Sequence, residues 1–213
     1  MKTTPNRQTG FSLLELAIAL AVLAILAGGV LKGRELLNSA KVQATITDIA
    51  NIETALSAFE ARFSALPGDF DAASAANLGT SEGDGNGLIG NDEVCAVFTH
   101  LERAGFIRGD FTAGSDTSSN CTPESNMENQ FSGRYQVSNT FAGPDTNTDA
   151  MVLLLGEQIP VSQLAEIDRK LDDGNPLRGN VQVLTDDEAL CATEEGNWNE
   201  TQGGVCAALY VLR

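Results

Sequence analysis

Glu82-Gly83-Asp84-Gly85-Asn86-Gly87-Leu88-Ile89-Gly90-Asn91-Asp92-Glu93 sets oxygen-bearing side chains at the spacing of a metal-binding loop. Oxygen-bearing side chains stand at its first, third and fifth positions, glycine at the sixth, an aliphatic residue at the eighth and glutamate at the twelfth. An EF-hand loop uses that order to wrap calcium. On this reading Glu82, Asp84, Asn86 and Glu93 supply side-chain oxygens, Leu88 a backbone carbonyl, and a water at Gly90 completes the shell. The first position holds Glu where Asp is usual, and no clear helix enters the loop, although one leaves it at Glu93. A solvated glycine-rich turn uses the same residues, so both readings stay open.

Four cysteines, Cys95, Cys121, Cys191 and Cys206, all follow this loop. An even count on an exported domain reads as two disulfides. Of the possible pairings, chain order favours Cys95 with Cys121 and Cys191 with Cys206. Paired cysteines leave no Cys–His nucleophile, and His100 is the only histidine, so no two-histidine metal site can form. Between Phe98 and Leu101, His100 is expected at a surface or an edge. Trp198, inside the Cys191–Cys206 loop, is either an exposed contact residue or a packed staple. Asn199-Glu200-Thr201 fits a glycosylation acceptor, a short pattern that often arises by chance. Acidic pairs such as Asp186-Asp187 need no catalytic explanation on a chain with 29 acidic and 13 basic residues. A formal charge of −16 disfavours nucleic acid as a partner and favours cations or a basic counter-surface. The expectation is a structural protein and not an enzyme.

One further carboxylate stands where solvation is poorest. From Phe11 to Leu31 the chain is predominantly apolar with Glu15 as its only charge, and the run is long enough to cross a bilayer, which takes about 20 residues. A charge there costs on the order of 2.5–3.5 kcal/mol, so an ordinary anchor has no reason to keep it. A cleaved secretory signal would end at a small-residue site and a break, yet helical periodicity continues past Leu31 to Phe63. The preceding residues 1–10 form a short basic leader, with Lys2 and Arg7, that ends in Gly10.

Gly10-Phe11-Ser12-Leu13-Leu14-Glu15 resembles the processing site of type IV prepilins and of the pseudopilins of type II secretion. The resemblance implies cleavage between Gly10 and Phe11 by a membrane prepilin peptidase and N-methylation of Phe11. It also implies assembly into a filament with copies of itself through an inner-membrane platform, with the head in the periplasm before assembly. Glu15 becomes the fifth residue of the mature chain, where the family keeps a carboxylate that a neighbour's Phe11 amine can neutralise; a hydrogen-bonded pair is tolerable in low dielectric where a lone charge is not. Loss of Lys2 and Arg7 takes the charge from −16 to −18. Lys32, Arg34 and Lys41 follow the anchor, so orientation rests on the resemblance and the cysteines, not on charge asymmetry. The Leu66-Pro67-Gly68-Asp69-Phe70, Leu101–Ile107 and Asp168–Gly174 stretches are similar to a group of large bacterial prepilin-type proteins. The last of these reads first as a turn and second as an ion site. The Cys191–Cys206 loop resembles the disulfide-bounded region of many type IV pilins. A calcium loop points instead to the major pseudopilins, whose heads are smaller.

These residues need elements to position them. Val42, Ile46, Ile49, Ile52, Leu56, Phe59 and Phe63 recur at steps of three and four, which predicts one helix over 11–63, its second half amphipathic. Gly28-Gly29 and Gly33 are its expected weak points, and Leu66-Pro67-Gly68-Asp69 its stop. The head, 64–213, is expected to hold a helix over Glu93–Ala104 stopped by Gly105 and a short helix over Ser162–Leu171. Strands are expected at Arg134–Val137, Ala150–Leu155, Val181–Leu184 and Ala207–Leu212. The fold class is α+β: a long N-terminal helix laid on a small, mainly antiparallel sheet.

Overall fold

The computed structural model describes residues 12–71, 75, 77–90, 93–112, 121, 122, 124–145, 150–201 and 204–212. Contacts divide the chain between Ala40 and Lys41, inside the first helix. The helix α1 runs Leu13–Phe63 without interruption through the three glycines. In the first unit its large apolar side chains are all exposed, and the most apolar window has mean hydropathy 2.5 with none of it buried.

In the second unit α1 buries Val42, Thr45, Ile49, Ile52, Ala55, Leu56 and Phe59, with Ile46 and Phe63 partly buried against the same core. The helix ends at Ser64, a non-glycine residue with φ 54° whose N–H still bonds the Glu60 carbonyl at 2.8 Å. The stop therefore comes ahead of Pro67 and is made by a left-handed residue. Phe59, Phe63 and Phe70 pack ring to ring at 4.6–5.4 Å there, closing the end of the helix onto the turn.

The helix expected from Glu93 begins as a 3-10 turn, Val94–Ala96, and becomes α2, Val97–Arg103. Gly105 stops it at φ +83°, with the Phe106 N–H returning to the Leu101 carbonyl at 2.9 Å. The main sheet contains β1 (Gln136–Ser138), β2 (Val152–Leu154), β4 (Val181–Val183) and β6 (Ala208–Val211), in the order β1-β2-β6-β4 and antiparallel throughout. A separate ribbon pairs β3 (Ile159–Pro160) with β5 (Val205–Cys206). Between β3 and β4 lies α3, Val161–Leu171, which buries Leu164, Ala165 and Ile167. After β4 a 3-10 turn leads into α4, the short Glu188–Cys191 helix. The Tyr135 hydroxyl donates to Asp48 Oδ2 at 3.4 Å, so the approach to β1 is tied to α1 by a polar contact as well as by the core.

Candidate functional site

At the start of α1, the Ser12 Oγ accepts the Leu14 N–H at 3.3 Å and the Ser12 carbonyl accepts that of Leu16 at 3.2 Å. That is an N-cap. Glu15 follows at the Ser-x-x-Glu spacing of a capping box, exposed in a first turn whose helix dipole favours a carboxylate. The same residue expected to pair in assembly thus sits well at its own helix end, a role the Ser12 spacing signals. Gly10 and Phe11 lie outside the described residues.

The acidic loop gathers a different set of carboxylates from the one its spacing suggests. Oxygens of Asp69, Asp84 and Glu93 lie within 4.8 Å of one another. Asp69, only 3% exposed, accepts the N–H groups of Asn86 at 2.9 Å and Gly87 at 2.6 Å. Glu93, 7% exposed, accepts those of Asp84 and Gly90, each at 2.8 Å. The two chain segments cross so closely that a Cβ on Gly83 would strike the Gly68 carbonyl and come 2.6 Å from Glu93 Oε1. Glu82 is exposed and outside the group. Asn86 turns into its own loop, accepting the Leu88 N–H at 2.8 Å and donating to Asp84 Oδ2 at 2.9 Å, while the Leu88 side chain is exposed. Among the described residues no cationic side chain pairs with any of the three gathered carboxylates. Chemically, three carboxylates with hard oxygen atoms suit a divalent cation, and each oxygen bonded to one amide keeps a second lone pair.

His100 is fully buried, which corrects the surface or edge position expected from the sequence. Its Nδ1 accepts the Gly68 N–H at 2.8 Å, so Nε2 carries the proton and donates to the Ser81 carbonyl at 2.9 Å. The ring also stacks on Phe59 at 6.3 Å between centroids. Burial pushes its pKa below the ordinary value, only partly opposed by the Ser81 bond. His100 therefore pins both arms of the acidic loop. Its place on α2 one turn after Ala96 did not reveal this, because the partners are backbone atoms.

Both disulfides form as chain order suggests: Cys95–Cys121, with Cα atoms 5.2 Å apart, and Cys191–Cys206, at 6.2 Å. Trp198 takes the staple role. It is buried, and its Nε1 donates to Asp168 Oδ2 at 2.7 Å while Gly174 N–H bonds Asp168 Oδ1 at 3.1 Å. Burial raises the Asp168 pKa to about 6; the Trp198 and Gly174 bonds pull it down, and the charges of Asp172 and Asp173 push it up. Those three carboxylates also lie within 4.8 Å of one another. Asp172 caps the backbone of Asn180, and Asp173 takes the Asn175 N–H at 2.8 Å and an ion pair from Arg178 at 3.1 Å. These bonds make the segment a braced turn, the first of the two roles expected for it.

Residues 5–31 match the family described as the prokaryotic N-terminal methylation motif. The chain thus carries the type IV prepilin and pseudopilin signal, and with its apolar helix it fits a single-pass, membrane-anchored precursor. Neither the curated proteins nor the solved structures gave a match.

Proposed function

We propose that this chain is a pilin, a structural subunit of a type IV pilus or pilus-like filament, assembled through α1 after a prepilin peptidase cuts between Gly10 and Phe11. One observation carries the reading: the methylation motif over residues 5–31 coincides with an apolar helix whose side chains are exposed and whose only charge before Lys32 is Glu15. A lone subunit must keep that helix in a bilayer, and a filament core is the other place where it can be covered. There the Phe11 amine of a neighbour neutralises Glu15, so leaving the membrane relieves a buried charge. The partners are copies of the chain, the peptidase and an inner-membrane assembly platform; the role is structural, not catalytic. The alternative of a secretion pseudopilin shares every step up to assembly, and the Cys191–Cys206 loop favours the pilus. A membrane-anchored adhesive or binding ectodomain that never polymerises leaves Glu15 with its place at the helix end alone and without a cationic partner.

The experiment is Glu15→Val in the producing cell. Inserted and cleaved precursor with filaments lost is the expected result. Normal filaments from that variant sink the pairing argument, and a mature N-terminus other than Phe11 by mass spectrometry sinks the processing step.

We propose further that Asp69, Asp84 and Glu93 hold a calcium ion in the exported head. Their convergence without a cationic side chain supports this second reading.

A further inference from the structure

We propose that the groove along α4, beside the Cys191–Cys206 disulfide, docks the Lys32–Leu37 segment of a neighbouring copy of this chain. The proposal rests on the filament reading above and names one contact within it.

Among the described residues of the head, the exposed large apolar side chains are Leu88, Leu190 and Val205. Leu190 and Val205 are 64% and 55% exposed, and each immediately precedes one half of the disulfide. The cysteine Cα atoms are 6.2 Å apart, and one chain step of about 3.8 Å on either side keeps the Cα atoms of the two within about 14 Å. Along the same α4 segment, at residues flanking Leu190 in the chain, lies a groove of about 630 Å³ lined by Leu177, Ala189 and Ala192, with Glu188 and Glu194 among its walls. No ion pair engages either glutamate among the described residues. Exposed apolar side chains next to unpaired carboxylates call for an apolar, basic counterpart.

The chain carries such a counterpart itself. Beyond Leu31, where the apolar run ends, Leu36 and Leu37 are 62% and 65% exposed and exceed what a bilayer crossing needs. They sit among Lys32, Arg34 and Lys41, against which stands only Glu35. Lys32 is held by Glu35 at 2.6 Å in an exposed pair, and Arg34 has no ion pair among the described residues. Solvated pairs exchange at little cost, so Lys32 is available as well. The two surfaces are different patches of the same molecule. A contact between them is heterologous and propagates along an open polymer instead of closing a dimer. It also brings cations to heads that otherwise repel one another.

The test is a charge exchange in the full chain, made in the producing cell, with filaments sheared off and subunits quantified. Glu188→Lys with Glu194→Lys is expected to cut filament yield about tenfold, as is Lys32→Glu with Arg34→Glu. The combined variant is expected to recover most of the wild-type yield. Val205→Thr, which keeps a β-branched strand residue, removes apolar contact alone and is expected to lower the yield in a head whose unfolding midpoint is unchanged. Unchanged yield from the Glu188/Glu194 variant, or no recovery in the combined one, overturns this contact while leaving the filament reading intact. Absence of filaments from the wild-type chain overturns both.

Discussion

His100 holds Gly68 and Ser81 together only while its imidazole is neutral, because a proton on Nδ1 would face the Gly68 N–H. Its folded pKa lies below the ordinary 6.5 through burial. As pH falls below about 6.5 the unfolded chain takes up a proton that the folded one refuses, so this contribution is whole above that value and lost below it. Urea midpoints of a head beginning at Lys41 are expected to fall between pH 7.5 and 5.5. His100→Phe should be weaker throughout but flatter; an equal slope in that variant would place the titration elsewhere. Asp168 has the opposite sign. Its folded pKa of about 6 exceeds the unfolded ~3.9, so the folded state keeps a proton longer and this group's contribution declines as pH climbs from about 4 to 6. Trp198 is the chain's single tryptophan and bonds that carboxylate, so its fluorescence reports the event directly. A midpoint near 6 that disappears in Asp168→Asn is the expected outcome, and a flat wild-type titration would refute it.

At the scale of elements, the Cys191–Cys206 link joins α4 to β5, and β5 is held to the rest of the head by a ribbon of only two residue pairs. Closing a separation of 15 residues contributes roughly 3 kcal/mol by chain entropy. Cys191→Ser with Cys206→Ser should lower head stability by about that amount in urea; a loss below ~1 kcal/mol would mean that Trp198 and β6 hold the loop unaided. Long regular elements were the legible ones. The period of Val42 to Phe59 survives intact in the buried face of α1, and Gly105 marks the end of α2 as its φ requires. Short or non-local features were not legible. The strand β1 lies two residues beyond its expected start because Arg134 bridges to Glu128 instead. The strands β3 and β5 are too short to show any alternation. Ser64 in a left-handed conformation has no compositional mark. Asp69 was visible only as part of a helix stop, because its carboxylate meets Asp84 and Glu93 through a crossing of backbones at Gly83 that no spacing rule encodes.

At the scale of the molecule, the charge of −16 makes cation binding consequential. A loop that brings three carboxylates together is expected to stabilise the head by mass action when filled. Extracellular calcium sites often have dissociation constants of ~0.1–1 mM, so millimolar calcium should raise the thermal midpoint and chelator should lower it. Asp69→Asn should abolish the difference and Glu82→Gln should leave it; no difference in the wild type, with no heat of binding, would reduce the loop to a hydrogen-bonded turn. The sheet order has a consequence in time as well as in space. The strand β6 is the last element described, yet it lies between β2 and β4 and, among the described residues, is the strand that hydrogen-bonds to both. Until Ala208–Val211 has been synthesised, β2, already paired with β1, and β4 have no shared partner and the sheet stands open on that side. Closure of the sheet therefore waits on the last described strand, and a chain interrupted before it is expected to remain open to proteases. Pulse-labelled chains cut short before Ala208 should be degraded as fast as unfolded protein; protease resistance equal to that of the full chain would show that the sheet closes without its central strand.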